Sequence, residues 1–258
     1  METQAAVAAA RAGLAVALQR TDAQHIVSKG GVDIVTGADV AAEHAIRRVL
    51  RERCPKLPVL GEELGGAELV GERAYWMVDP ICGTRNYASS LTTFCTNIAL
   101  VEDGVVTLAA VGDGGTAEIA YAERGRGAFV ERAAGPVALY AREGSVLVLE
   151  LGGNPPHAAW APLLGKFVPL LAADARYHLR VFGTTLSLAK VASGDVAGVM
   201  LLDSKAAPLH TAAGCLLAQE SGALVTDREG RGWQLDTALL VLAATRALHD
   251  QLLEWLRS

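Results

Sequence analysis

The chain of 258 residues lacks the features that mark several classes of protein. It holds no run of five or more basic residues, and 23 Lys plus Arg stand against 28 Asp plus Glu, a net charge of −5. Binding a phosphate backbone needs concentrated positive charge, so no nucleic-acid partner is expected. The four cysteines, Cys54, Cys82, Cys95 and Cys215, show no C-x-x-C spacing. A chain this long can bury a core without disulfides, so the expected setting is a reducing cytoplasm. No apolar run reaches membrane-spanning length, and the longest, Leu239 to Ala244, has the length of a buried strand. Glu2 and Arg11 interrupt the Ala-rich start, which therefore lacks the basic-then-apolar order of a secretory signal. Internal repeats, low-complexity linkers and a clean domain boundary are also missing.

What is present is a folded chain, 51% hydrophobic and 20% charged. Helical spacing marks Glu2 to Arg20. Lys29-Gly30-Gly31 reads as a loop, Asp33 to Thr36 as extended, and Asp39 as the N-cap of a helix over Val40 to Arg53. Leu57 to Leu60 is a strand ending in Gly61-Glu62-Glu63. Ala74 to Val78 is a buried strand that delivers Asp79 to its end, where Pro80 closes it. Gly83-Thr84 opens a further helix. Phe94 to Glu102 and Val105 to Val111 flank Asp103-Gly104, a hairpin signal. Glu118 to Ala122 extends that sheet, and Gly125 to Phe129 makes a turn and re-entry.

From about Gly135 the pattern changes to alternating strand and helix. Strands are predicted at Val146–Leu151, Val196–Leu202, Leu224-Val225 and Leu239–Ala243, with a strand end at Arg180–Gly183. Helices are predicted at Ala158–Leu164, Thr184–Ser193, Leu209–Gln219 and Arg246–Leu256, with a break at Asn154-Pro155-Pro156. The expectation is one unit over 1–258 with two lobes: an α+β lobe over 1–140 and an α/β lobe over 141–258.

Chemistry concentrates at Trp76 to Tyr87. A carboxylate, Asp79, meets the free backbone N–H groups of a helix start at Gly83-Thr84, a corner suited to a metal ion and a phosphate together. Cys82 stands where a second carboxylate would be expected.

Three separated pieces then join: Gly61-Glu62-Glu63; Trp76-x-x-Asp79-Pro80-Ile81-x-Gly83-Thr84-x-Asn86-Tyr87; and Pro208-Leu209-His210-Thr211-Ala212-Ala213-Gly214. They resemble the signatures of the inositol monophosphatase superfamily, G-E-E, W-x-x-D-P-I-D-G-T-x-N-F and P-W-D-x-A-A-G. Lys29 with Asp33-x-Val35-Thr36-x-x-Asp39, the Gly125-x-Gly127-Ala128-Phe129 turn and the segment from Gly183-Thr184 to Gly194 support the resemblance, which runs from about Lys29 to Asp227.

The resemblance implies an α/β (α+β) fold, a layered αβαβα sandwich, and Mg²⁺-dependent hydrolysis of small phosphomonoesters such as inositol or sugar phosphates. It implies metal-assisted displacement, with hard oxygen ligands for Mg²⁺. Glu62 matches a ligand of the first, water-activating ion; Asp79 matches the bridge between ions; the Ile81 carbonyl matches a further ligand of the first. Thr84 matches the hydroxyl that orients the attacking water, with Asp39 as its hydrogen-bonding partner. The Gly83 and Thr84 N–H groups match the phosphate cradle. Lys29 matches a loop residue near the metals, and is equally readable as a solvated lysine. Asp203 lies near the position of a substrate-binding carboxylate. The family's tendency to dimerise implies a homodimer.

The departures are specific. Cys82 and His210 replace the two further aspartates of the second metal, Leu209 replaces a Trp, and Arg85 stands where a small polar residue is usual. Four readings follow. One is a phosphatase with a single Mg²⁺, in which Arg85 supplies positive charge near the phosphate or is simply solvated. Another is a changed metal: Asp79, Cys82 and His210 form an O, S, N set that suits Zn²⁺ or Fe²⁺ better than Mg²⁺, unless both replacements arose by drift. A third is an inactive or repurposed protein that binds an anionic metabolite or performs non-hydrolytic chemistry, with Cys82 as nucleophile and His210 as its base. The last is a structural protein acting through an oligomer interface. Weak or specialised hydrolysis is the expectation, with the inactive or repurposed protein as its alternative.

Overall fold

Alternation along one strand sets the layering. In Ala74–Cys82, Tyr75 and Met77 point into one hydrophobic core, and Trp76 and Val78 point into another on the opposite face. Successive side chains of a strand face opposite ways, so a strand apolar on both faces must lie between two covering layers. The computed structural model describes residues 1–20, 26–30, 33–69, 71–151, 161–202 and 208–257.

The chain order is α1 (Glu2–Gln19), β1 (Ile26–Gly30), β2 (Asp33–Thr36), α2 (Gly37–Arg53), β3 (Val59–Gly61), β4 (Ala74–Cys82), α3 (Thr84–Ala88), β5 (Cys95–Glu102) and β6 (Val105–Asp113). It continues with β7 (Ile119–Glu123), β8 (Gly127–Val130), β9 (Val137–Leu139), β10 (Val146–Leu151), α4 (Ala161–Ala173) and β11 (His178–Arg180). The remaining elements are α5 (Leu186–Ala192), β12 (Gly198–Leu202), α6 (Pro208–Glu220), β13 (Leu224–Thr226), β14 (Leu239–Ala243) and α7 (Arg246–Arg257).

Strands β3 to β9 form a seven-stranded sheet in sequence order, antiparallel except for the β3–β4 pair. The second sheet has the order β11-β10-β12-β14-β13, with β10 parallel to β11 and β12 and the other pairs antiparallel. Helices α1 and α2 cover the outer face of the first sheet, burying Ala10, Leu14, Ile46 and Leu50 against Trp76, Val78 and Ile98. Helices α5 and α6 lie between the sheets, and α4 and α7 cover the far side, where Phe167 meets Trp255 edge to face at 5.3 Å. The result is an αβαβα sandwich.

The central layer is tight. A Cβ on Gly214 would lie 2.6 Å from the Leu188 Cβ, so a side chain there would push α6 off α5. Helix α6 also packs on β5 and β6, so the two halves of the chain share this layer. No helix of the described residues is long and apolar enough to cross a membrane.

The Asp103-Gly104 hairpin forms as its residues dictate, with φ of 49° and 78°, the left-handed pair a two-residue turn needs. Several expectations are corrected. Lys29 and Gly30 are not loop: they belong to β1, which pairs antiparallel with β2, with Gly30 opposite Asp33 and Lys29 in a register irregularity between Ser28 and Gly30. Pro80 does not end its strand, because β4 runs on to Cys82 with a register irregularity between Asp79 and Cys82. Pro80 sits in that bulge, where no ladder donor is needed. The helix over α2 is capped by Thr36, and Asp39 is its N3 residue, accepting the Thr36 N–H at 2.9 Å in a reciprocal capping box. Helix α4 reaches Ala173, well past Leu164. The predicted break at Asn154-Pro155-Pro156 lies outside the described residues.

Candidate active site

The Gly61-Glu62-Glu63 turn is held from below by a residue that sequence reading passed over. Glu43, on α2, has a fully buried side chain. Its carboxylate accepts the Glu63 N–H at 2.7 Å, the Leu64 N–H at 3.2 Å and Arg47 Nε at 2.7 Å. A Cβ on Gly61 would lie 1.9 Å from Glu43 Oε1, so the turn needs glycine there. The Glu62 N–H donates to the Val78 carbonyl at 3.1 Å, which brings Glu62 to the end of β4 beside Asp79. The Glu43/Arg47 pair at i,i+4 reads in sequence as a solvated helix face. Only its burial marks it as a clamp.

Asp79 is fully buried, and its two oxygens differ. Oδ2 lies 2.7 Å from His210 Nδ1, whereas Oδ1 has no hydrogen-bond partner among the described residues. Burial, with the nearby Cys82 and Glu62, pushes the Asp79 carboxyl well above its usual range, and His210 opposes the shift. Burial pulls the His210 imidazole down, but Asp79 and Cys82 more than offset it and the imidazole stands well above its ordinary value. The two groups share a hydrogen bond, so neither titrates independently of the other.

Thr84 opens α3 after Gly83, whose φ of 98° is the left-handed conformation glycine adopts freely. Its Oγ1 lies 3.1 Å from both Asp39 Oδ1 and the Ile81 carbonyl. Burial raises the Asp39 pKa, and the Thr36 and Thr84 bonds work against it. The hydroxyl's proton is thus directed at fixed acceptors, and its lone pairs are left to accept.

Cys82 sits on the cleft floor, 7% exposed. Its Sγ lies 2.9 Å from Thr185 Oγ1 and 3.4 Å from the Thr185 nitrogen. The thiol of Cys95, its cross-strand partner in register, is the largest cause holding the Cys82 thiol well below its ordinary pKa; burial opposes and His210 assists. Asn97 Nδ2 bridges Thr185 Oγ1 at 3.1 Å and the His210 carbonyl at 3.2 Å, tying β5 to α5 and α6. One ligand atom each from Asp79, Cys82 and His210 lies within 4.8 Å of the others, a group able to hold a metal ion.

The cleft has a volume of about 400 Å³. Glu62, Ile81, Cys82, Gly83, Thr84, Arg85 and His210 all line it, and Arg85 is exposed at its edge. Asp39 lies behind Thr84 and accepts from its hydroxyl. Lys29 lies on β1, and its side chain is outside the described residues, as is Asp203 altogether. Glu43, Asn97, Thr185 and Glu150 were missed. Glu150 alone carried a signal, a carboxylate inside the aliphatic run Val146–Leu151.

The signature residues converge on one cleft, and the family description "Inositol monophosphatase family" matches residues 1–258. The chain belongs to the inositol monophosphatase family. An inositol-1-monophosphatase of Caulobacter vibrioides is 32% identical over 262 residues, covering 99% of each chain. The Nus factor SuhB of Xylella fastidiosa is 32% identical, over 83% of this chain and 76% of its own. Among solved structures, the extragenic suppressor protein suhB of Bartonella henselae superimposes with a TM-score of 0.83 at 27% identity, over 100% of this chain and 97% of that one. Within this inositol monophosphatase scaffold, Cys82 and His210 lie together beside Asp79.

Proposed function

We propose that the protein hydrolyses a small phosphomonoester, with the ester seated over Asp79 and the attacking water held by Thr84. The observation that supports this reading is the Thr84 hydroxyl at 3.1 Å from Asp39 and Ile81. The orphaned Asp79 Oδ1 fits a cation, and with the Glu62 carboxylate and the Ile81 carbonyl it makes a hard oxygen set suited to Mg²⁺. A bound Mg²⁺ supplies charge neutralisation of the phosphate and a more acidic water. The chain itself orients that water: the Thr84 hydroxyl donates to its fixed acceptors and accepts one water proton, which points the water's remaining lone pair at the phosphorus. The cleft volume lies within the range of small-ligand sites, which favours a small metabolite over nucleic acid. A cytoplasmic homodimer with two lobes, 1–140 and 141–258, belongs to the same proposal.

Phosphate release from a panel of inositol, sugar, nucleotide and amino-alcohol phosphates tests it. Activity on at least one ester should fall to background in Glu62→Gln. Release no greater than that of Glu62→Gln across the panel would leave the inactive or repurposed alternative standing.

The donor set of Asp79, Cys82 and His210 favours a second reading of the second metal, Zn²⁺ or Fe²⁺ in place of Mg²⁺. Protein purified without chelators should then carry about one equivalent of zinc or iron per chain by elemental analysis, a stoichiometry read from a single three-ligand site. Cys82→Ala should lose it. Absence of either metal in the parent protein rules the mixed site out and leaves hydrolysis to the oxygen ligands alone, weak or specialised.

A further inference from the structure

The cleft is walled on one side by residues of the second sheet and the loop before α5: Glu150, Leu151, Gly183 and Leu201. Glu150 belongs to β10, whose other residues are aliphatic, and it is 4% exposed. Its Oε2 accepts the Gly183 N–H at 2.8 Å. Its Oε1 is buried and has no hydrogen-bond partner among the described residues. The neighbouring Ser187 hydroxyl donates to the Thr184 carbonyl at 3.1 Å. Burial pushes the carboxyl up to about 7; the Gly183 N–H works against the shift, as do the nearby Ser187 hydroxyl and Phe182 backbone, and Cys82 adds to it.

The fold therefore keeps a carboxyl oxygen, with one bond unmade, on a residue that lines the same cleft as Thr84. Leaving a buried acceptor unpaired is costly, and a ligand that brings a donor removes that cost. The Gly183 bond fixes the carboxyl's orientation, so the acceptor is held ready before any ligand arrives.

We propose that Glu150 is a specificity-determining residue whose Oε1 takes a hydrogen-bond donor, a hydroxyl or an ammonium, carried by the alcohol part of the phosphate ester. The proposal rests on the phosphate-ester reading above and adds which esters the cleft prefers. An ester with a bare alkyl group leaves Oε1 unpaired and is bound less well, a discrimination of the kind built by polar groups that only the right ligand satisfies.

The test is equilibrium binding by calorimetry to the intact chain in Mg²⁺ buffer. Three esters of similar size serve as probes: glycerol 2-phosphate, 2-aminoethyl phosphate and isopropyl phosphate. At least one donor-bearing ester should bind about 10- to 100-fold more tightly than isopropyl phosphate. Glu150→Met, close in shape and without the acceptor, should erase that advantage and leave isopropyl phosphate within about twofold. Glu150→Gln separates the two donors, because its amide still accepts from a hydroxyl but no longer balances an ammonium. If Glu150→Met does not melt cooperatively, Glu150→Asp, which withdraws the carboxyl by one methylene, takes its place with the same expected loss. Equal weakening of all three esters would make Glu150 a purely structural support of the Gly183 turn and overturn the proposal. Isopropyl phosphate binding as tightly as both donor esters would overturn it too, with the phosphate-ester reading intact. Binding of none of the three removes both.

Discussion

Thr84→Ala is expected to lower kcat on the best phosphate ester by about 10²- to 10³-fold, with KM within about threefold of the parent value. Its hydroxyl lies 3.1 Å from Asp39 Oδ1 and from the Ile81 carbonyl, so its single proton is engaged by these two fixed acceptors. What remains is a lone pair facing the place of the attacking water. Alanine removes that acceptor and leaves the ester's contacts alone, so the loss falls on kcat. Thr84→Ser keeps the oxygen and should recover to within about tenfold of the parent. Steady-state kinetics on both variants check this. A loss below about fivefold in Thr84→Ala would mean that the water is held elsewhere. Asp39 also caps α2 with Thr36, so Asp39 variants confound stability with rate and are the poorer probe.

The double variant Cys82→Asp with His210→Asp is expected to raise Mg²⁺-dependent hydrolysis at least about tenfold, since it replaces a thiol and an imidazole with the hard donors Mg²⁺ requires. Without a divalent ion the same variant should melt at a lower temperature than the parent. His210 Nδ1, at 2.7 Å from Asp79 Oδ2, is the hydrogen-bond partner of a fully buried carboxyl. Removing it and adding two acids leaves like charges crowded together. Adding Mg²⁺ should restore the melting temperature. An aspartate at position 82 would find the Thr185 hydroxyl and N–H that now lie 2.9 Å and 3.4 Å from the sulfur. The single variants should not add up to the double, because each leaves a mixed donor set around Asp79. A rate no higher than the parent's would show that the substrate pocket has diverged along with the metal ligands.

The parts of the site that could be read in advance are those whose physics is local. The buried apolar strand that carries Asp79, glycine at the positive-φ corner before Thr84, and the Asp103-Gly104 hairpin each follow from a few adjacent residues. Short-range reading failed where a longer-range contact overrode it. Pro80 is carried through the strand by a bulge that its pairing with β5 defines. Asp39 shifts from cap to N3 because Thr36, at the end of a paired strand, takes the capping position.

Motif residues in the sequence carry the family resemblance, and the layered sandwich is what that resemblance implies; strand alternation and helix periodicity, properties of neighbouring positions, mark the individual elements. Only the tertiary structure decided how the donors around Asp79 meet. His210 reaches Asp79 across 131 residues of chain, and Thr185 reaches Cys82 across 103. Glu43 and Glu150 are ordinary charges in sequence. They became a buried clamp and a buried acceptor when the helix and strand that carry them packed. Which atoms lose water depends on which faces are covered, and that is settled by the whole fold.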